Sequence, residues 1–292
     1  MPATHRMRAS PNRSGALHTT GAGWSATLEL RYERRGERSV VTRSAHAGPL
    51  AVQKALYPEG EAVCQSVVLH PPAGIVGGDR LEVRASIGAG AHAQLLTPGA
   101  ARWYRSAGTP ATQRVVVAVE ADARAEWLPQ ENIVFDGAMA QSELRVELAP
   151  GATWVGWEIF CLGRSCAGER FERGILRQRT EIVRGSVLQW LERGVVDSAS
   201  RLVAAAPGLN GRSVFGTLLA AAERVPDALL SDCRQVHCEH GEVGVTRVPG
   251  VLAVRYLGQS AEAARDCFAA IWSIVRPVLI GRDALAPRLW ST

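Results

Sequence analysis

The sequence contains almost no lysine, and this scarcity excludes several classes of enzyme. Lys54 is the only lysine, and it stands between Gln53 and Ala55. A Walker A phosphate-binding loop needs a lysine between glycine and serine or threonine, so the chain has no such loop. A Schiff-base mechanism would depend on Lys54 alone. The formal net charge of +5 is therefore carried almost entirely by arginine.

The sequence also lacks long apolar runs and any recognisable nucleic-acid-binding motif. No run reaches the roughly 18 apolar residues that a membrane-spanning helix needs. The first twenty residues are polar, with three arginines where a secretory signal would be apolar. We therefore expect a cytoplasmic protein that binds neither membrane nor nucleic acid. We expect residues 1–20 to form a flexible tail before a single β-rich domain over residues 21–292.

Cysteine is sparse as well, with six residues in 292. Without a secretory signal, this number predicts reduced thiols rather than a disulfide framework. Cys233, His237, Cys238 and His240 nevertheless lie close together and carry ligand atoms suited to Zn²⁺ or Ni²⁺. Neighbouring residues on a strand point to opposite faces, so all four could converge only on an irregular loop. The alternatives are a metal site, and with it a stand-alone metal-dependent hydrolase, or an ordinary surface loop.

No other segment resembles a catalytic centre. The chain has no nucleophile motif with a neighbouring histidine and aspartate, and no H-E-x-x-H sequence. We therefore predict that the protein is not an enzyme.

Most of residues 24–200 alternates apolar and polar residues between glycine, proline and aspartate turns, a pattern that predicts β-strands. Similar segments follow Gly90, Asp122, Gly151 and Gly185, which recur about every thirty residues. A unit this short cannot bury its own apolar face, so successive units should stack. A plain antiparallel meander is the alternative.

If the units stack, the residue seven positions after each turn should occupy an equivalent place in every unit. These residues are Thr97, Pro129, Glu158 and Glu192. Two of the four are therefore glutamates.

Helical spacing occurs only towards the C-terminus. Residues 213–224 carry apolar side chains on one side and stop before Pro226, which predicts a helix. Ser260 is a good N-cap for a second helix that should end near Pro277. Its apolar stripe is formed by Phe268, Ile271, Trp272 and Val275. The predicted fold is thus mainly β, with stacked β-layers of helical, solenoid-like winding and two α-helices in the C-terminal half.

The most informative segment is HPPAGIVGGDR, which begins at His70 and precedes a predicted strand. Pro71 and Pro72 fix φ, whereas glycine permits tight turns. The glycines are Gly74, Gly77 and Gly78. The turn either aims the Asp79 carboxylate at a functional site or uses it to accept hydrogen bonds from its own backbone N–H groups.

This segment resembles the signature of the urease accessory protein D (UreD) family, HPPGGIVGGD. Ala73 stands where that family usually has glycine, so we expect no positive φ at this position. The resemblance extends along almost the whole chain from Gly23. Further matching segments are His46-Ala47-Gly48-Pro49-Leu50, Tyr104-Arg105-Ser106, Glu126-Trp127-Leu128-Pro129-Gln130, Cys161-Leu162-Gly163-Arg164 and Pro287-Arg288-Leu289-Trp290.

The resemblance implies a non-enzymatic accessory protein for maturation of the urease nickel centre. It would bind apo-urease and UreF, reach the GTPase UreG through UreF, and occur in two copies in a hetero-oligomer. It would hold no cofactor stably, with Ni²⁺ in transit through an internal water-filled path. The carboxylates that match the path-lining positions of the family are Asp79, Glu158 and Glu192.

Elementary electrostatics is consistent with such a path. A buried carboxylate without a partner loses several kcal/mol of hydration, so it should line water or hold a cation. Oxygen ligands hold Ni²⁺ less firmly than thiolate or imidazole, as a conduit requires. The alternative is that Glu158 and Glu192 form ion pairs with arginines such as Arg164 or Arg193.

The C-terminal segment also resembles the family and ends in apolar residues, so we expect it to dock a partner. The predicted docking residues are Trp272, Arg276, Pro277, Arg288 and Trp290. A structural adaptor that only bridges UreF and urease remains a further alternative.

Overall fold

The computed structural model describes residues 23–291, which form two packed β-sheets with two α-helices. The predicted tail of residues 1–20 lies outside these residues. No helix within residues 23–291 is long and apolar enough to span a membrane. Apolar side chains fill one core between the two sheets and a second core between the larger sheet and the helices.

The strands and α-helices follow one another along the chain with short connections. In order they are β1 (Ser25–Arg35), β2 (Arg38–Ala47), β3 (Ala51–Val52), β4 (Cys64–Leu69), β5 (Gly74–Ile75), β6 (Arg80–Ile87), β7 (His92–Leu96), β8 (Ala101–Trp103), β9 (Ala111–Val119), β10 (Arg124–Leu128), β11 (Asn132–Val134), β12 (Met139–Leu148), β13 (Thr153–Leu162), β14 (Ile175–Arg184), β15 (Val187–Asp197), β16 (Val214–Ala221), α1 (Asp227–Arg234), β17 (Glu242–Val248), β18 (Val251–Gly258) and α2 (Ala261–Val275).

The chain winds between the two sheets as the sequence repeat predicts. Strands β6, β9, β12 and β14 pair in parallel in a seven-stranded sheet, and β4, β7, β10 and β13 pair in parallel in an 11-stranded sheet. The chain crosses from the first sheet to the second at Gly90, Asp122 and Gly151. The predicted stacked, solenoid-like β-layers are therefore confirmed.

The fourth unit departs from this winding. After Gly185 the chain folds back, and β15 pairs antiparallel with β14 at the edge of the first sheet. Register places Thr97, Pro129 and Glu158 in equivalent positions, since Leu96 pairs with Leu128 and Trp127 with Gly156. The predicted equivalence of Glu192 is wrong, because a turn signal does not reveal whether the next strand crosses to the other sheet.

The first predicted helix is also wrong. Residues 213–224 contain β16, which lies between β13 and β18 in the larger sheet. A short apolar run fits a buried helix or a buried strand, and here the two neighbouring strands decide. The first helix is instead α1, which begins directly after Pro226.

The second predicted helix is confirmed as α2. The hydroxyl of Ser260 accepts a hydrogen bond from the Ala263 backbone N–H at 3.1 Å, as an N-cap should. The predicted apolar stripe is buried, and α2 ends at Val275, after which one π-helical turn spans Arg276–Ile280. This helix packs against β13, β16 and β18 on the face of the larger sheet that points away from the first sheet.

Candidate functional site

A layer of polar side chains crosses the interior between the two sheets. Strand register aligns the residues within each row, so each row lies along one face of its sheet. The row on the larger sheet is Glu158, Thr217 and Arg255, and the row on the seven-stranded sheet is Gln113, Ser142 and Gln178. Polar rows are unusual inside a sandwich, whose inner faces are ordinarily apolar.

Glu158 is buried in this layer without a positively charged partner among the described residues. Its Oε1 atom accepts a hydrogen bond from the Ser142 hydroxyl at 3.0 Å. Burial raises the pKa of Glu158 to about 7, the hydrogen bond from Ser142 opposes the rise, and the negative charge of Glu192 adds to it. Glu158 is thus a carboxyl group whose ionised form is poorly stabilised.

Glu192 reaches the same layer from β15. Its Oε1 atom lies 2.9 Å from Arg255 Nη1 and 3.4 Å from both Thr217 Oγ1 and Gln178 Nε2. Its Oε2 atom is buried and has no hydrogen-bond partner within residues 23–291. The ion-pair alternative thus holds for Glu192, but with Arg255 and with neither predicted arginine. Arg164 instead pairs with Glu169.

Three hollow spaces lie beside the two glutamates, and each is lined by one or both of them. An open groove of about 650 Å³ contains Glu192 and Arg255 in its lining, and a cavity of about 10 Å³ lies between Glu192 and Glu158. A third cavity, of about 150 Å³, extends from Glu158 to His70. The middle cavity has room for about one water molecule. The three spaces adjoin one another at the two glutamates, and we call this series the carboxylate path.

Asp79 does not line any of these three spaces. Its Oδ1 atom accepts a hydrogen bond from the Trp24 backbone N–H at 2.7 Å, and Oδ2 accepts one from the Val76 N–H at 2.9 Å. This geometry matches the interpretation in which Asp79 satisfies backbone donors of its own turn. Its assignment to the nickel path stays a prediction that these contacts do not support.

The turn before Asp79 forms one end of the 150 Å³ cavity, where His70 and Ala73 line the wall. Ala73 has φ of +56°, so the expectation that this position avoids positive φ is wrong. The backbone reverses here through a hydrogen bond from the Ala73 N–H to the His70 carbonyl. A Cβ atom at Gly74 would lie 1.9 Å from Tyr104 Cε2, so any larger residue there would force the Tyr104 ring to move.

A second buried carboxylate lies on the opposite face of the larger sheet. Glu126 accepts hydrogen bonds from Trp272 Nε1 at 2.7 Å and Arg276 Nε at 3.2 Å, and its Oε1 lies 2.8 Å from His92 Nε2. Arg276 also pairs with Glu59 at 2.8 Å. Burial opposes ionisation of Glu126, but His92 and Arg276 outweigh it and hold the pKa at about 2. We call these five residues the Glu126 cluster.

The Glu126 cluster was not predicted from the sequence, although a signal was present. Gln94 and Glu126 each lie four residues after a repeat turn, and they are paired in register with Gln65 on β4. The Gln65 side-chain amide donates to Gln94 at 2.7 Å. Polar residues at equal positions of successive units would have predicted a buried polar ladder.

The predicted docking residues divide between interior and surface. Trp272 and Arg276 are buried in the Glu126 cluster and cannot contact a partner while this packing holds. Trp290 packs against the rings of Trp157 and Trp272, with centroids 5.4 and 5.3 Å away. For the exposed Pro277 and Arg288, docking stays a prediction.

The four-residue Cys/His cluster does not assemble. Cys233 is buried in the helix-side core, and Cys238 forms a disulfide with Cys267 on α2. Within residues 23–291, no three His, Cys, Asp or Glu side chains are grouped to hold a metal, His237 and His240 included. The predicted site is therefore wrong. Reduced thiols are also wrong for Cys238, because the fold brings it to a cysteine 29 residues away.

Sequence comparison finds relatives of this chain over nearly the full described length. A family model described as UreD urease accessory protein matches residues 25–291. A protein of Dechloromonas aromatica named urease accessory protein UreD is 51% identical over 273 residues, covering 92% of this chain and 95% of that protein. The same name belongs to a protein of Azoarcus sp. that is 49% identical over 277 residues, with 95% and 97% covered.

Proposed function

The chain belongs to the UreD urease accessory protein family, and from this we propose that it is a non-catalytic factor through which Ni²⁺ reaches the urease active site. In this role it binds apo-urease and UreF, meets the GTPase UreG through UreF, and occurs in two copies in the complex. Ni²⁺ is its cargo, and it holds no cofactor stably. Its cytoplasmic location stays a prediction.

The carboxylate path is the observation that carries this proposal. Glu158 has no cationic partner among the described residues, and Oε2 of Glu192 has no hydrogen-bond partner there. A buried carboxylate without compensation costs several kcal/mol, which a passing cation would offset. Apolar side chains in this layer would make the fold more stable than the polar ones do. A route for charge gives a physical reason for the polar layer.

The two glutamates suit transfer better than storage. Oxygen ligands bind Ni²⁺ less firmly than thiolates or imidazoles do. With its pKa near 7, Glu158 exchanges a proton for a cation at little cost near neutral pH. An ion would then pass from Glu192 to Glu158 through the cavity of about 10 Å³ between them.

The experiment is a Glu158→Gln/Glu192→Gln double variant, co-expressed with UreF, UreG and urease. Glutamine keeps the side-chain volume and removes the charges. We expect the complex to form in normal yield, while nickel per urease active site falls severalfold. The matched control is Glu143→Gln, which changes a half-exposed carboxylate on β12 next to Ser142. Asp79 is left unchanged because its loss would strand two backbone donors.

Two outcomes would contradict the proposal. Normal nickel content in the double variant would mean that the path carries no nickel. Loss of the complex before loading would mean that the two glutamates support the fold or an interface. The structural-adaptor alternative would then be preferred.

A further inference from the structure

Arg255 lies where the open groove meets the closed part of the carboxylate path. It lines the groove of about 650 Å³ but not the cavity of about 10 Å³, whereas Glu192 lines both. Its side chain is 56% exposed, while that of Glu192 is 8% exposed. The pair therefore joins a solvated cation to a buried anion.

The contacts around Glu192 favour exchange of its partner. One carboxylate oxygen meets Arg255 at 2.9 Å, with Thr217 and Gln178 farther away at 3.4 Å, and the other oxygen has no hydrogen-bond partner among residues 23–291. If Arg255 leaves, its charge enters water at little cost, because the side chain is already half solvated. Glu192 cannot do the same and would need another cation.

A second contact gives Arg255 a defined resting position. Its guanidinium lies 5.9 Å from the centroid of the Trp190 ring, on the same strand as Glu192. Cations are attracted to indole faces, so Trp190 helps to hold the guanidinium over the mouth of the path.

We propose that Arg255 is an exchangeable counter-ion that closes the groove end of the carboxylate path and that an entering divalent cation must displace. A monovalent ion would replace one positive charge by another and gain nothing. A divalent ion brings a second charge, which also compensates Glu158. Arg255 thereby selects divalent over monovalent cations. The identity of the ion as Ni²⁺ rests on the proposed function.

The test measures Ni²⁺ binding to the purified chain by equilibrium dialysis in buffer containing potassium. Arg255→Gln removes the competing charge, so Ni²⁺ affinity should rise on the order of tenfold. Arg255→Lys keeps a positive charge and should remain near the unaltered protein. Adding Glu192→Gln to Arg255→Gln should abolish the gain, because the freed carboxylate is the ligand.

Arg193→Gln is the matched control, since Arg193 lines the same groove and is exposed. Arg193→Gln removes one positive charge from the groove, as Arg255→Gln does. A similar gain in Ni²⁺ affinity would therefore come from the net charge of the groove and would overturn the proposal. An unchanged affinity in Arg255→Gln, or a gain that survives Glu192→Gln, would also overturn it.

A second measurement uses the chain without changes at Arg255. Displacement of the guanidinium by Ni²⁺ should alter the fluorescence of Trp190, and the change should disappear in Trp190→Phe and in Glu192→Gln. An absent response would overturn the proposal even if Arg255→Gln failed to fold. These readings need no urease, so failure of the exchange and failure of nickel delivery are distinguishable.

Discussion

Glu126 and Glu158 are buried carboxylates on neighbouring strands of one sheet, yet they are stabilised very differently. Glu126 faces α2, where burial opposes ionisation but His92 and Arg276 outweigh it and hold the pKa at about 2, and Trp272 donates a further hydrogen bond. Glu158 faces the other sheet, where its hydrogen-bond partner is Ser142 and its pKa is raised to about 7. Both side chains are buried, so the difference in pKa comes mainly from their partners.

The two carboxylates also differ in what they hold together. The Glu126 cluster joins residues from β7, β10, α2 and the π-helical turn, so its compensated charges tie the C-terminal segment to the larger sheet. Among the described residues, Glu158 forms no such set of charged contacts between elements, and it lines two cavities. An uncompensated carboxyl group in a hollow interior is what a cation path requires.

The largest effect is expected from Glu126→Gln. The change removes the carboxylate shared by Arg276, His92 and Trp272 and leaves Glu59 as the carboxylate partner of Arg276. We expect a loss of about 3–5 kcal/mol in the free energy of unfolding at pH 7, as when one partner of a buried ion pair is removed. Urea denaturation measures this loss. Because the folded pKa of about 2 lies below the unfolded value of 4.5, the stabilisation is present above pH 4.5 and disappears as pH falls towards 2.

The control for this change is Glu143→Gln, at a half-exposed and weakly paired position. It should alter stability by no more than about 0.5 kcal/mol. If Glu126→Gln cost as little as this control, the contrast between the two buried carboxylates would be lost.

Glu158→Gln should raise the free energy of unfolding, whereas Glu126→Gln lowers it. The folded pKa of about 7 exceeds the unfolded value of 4.5, so stability falls as pH rises from 4.5 to 7, and the full penalty is present above pH 7. The variant should therefore be more stable than the unaltered protein by about 3 kcal/mol at pH 8 and nearly equal to it at pH 4. Urea titrations at both pH values measure the difference. A destabilised variant at pH 8 would show that the ionised carboxylate has a partner.

Trp272→Phe tests one donor of the Glu126 cluster. It removes a hydrogen bond to a charged group, so a loss of about 2 kcal/mol is expected. The matched variant is Trp157→Phe, whose indole packs on the same Trp290 ring but donates to the neutral Pro129 carbonyl. Thermal unfolding should show the smaller loss for Trp157→Phe. Equal losses would indicate that the charge on Glu126 adds nothing.

The smallest effect is expected from Ser142→Ala. The hydroxyl donates to Glu158, so its removal should destabilise the protein by about 1 kcal/mol at pH 8 and shift the stability decline to higher pH. Repeating the change in the Glu158→Gln background forms a double-mutant cycle. A pH shift that persists in that background would have another origin.

Local signals predicted much of the fold. Turn residues such as Gly90 and Gly151 and the alternation between them predicted stacked strands, because turn chemistry and side-chain period are properties of a few neighbouring residues. The same logic located α2 from its Ser260 cap. Predictions from local signals were wrong after Gly185 and at residues 213–224, because the structure there depends on which strands lie alongside.

The candidate site was predicted only in part. Glu158 and Glu192 were identified from repeat and resemblance, but they face each other from opposite sheets rather than occupying equivalent places in one stack. The segment around Asp79 was identified correctly as a constrained turn, whereas its carboxylate serves backbone donors. Residues close in sequence, such as Cys233 and Cys238, did not form a site.

The sequence by itself determined the repeat turns, the cap of α2 and the absence of a phosphate-binding loop, because each depends on residue type and local spacing. Only the tertiary structure decided which buried carboxylate is neutralised. Arg276 reaches Glu126 across 150 residues of chain, and Arg255 reaches Glu192 across 63. Charge compensation depends on distance in space and on exclusion of water, and neither is encoded in the order of residues along a strand.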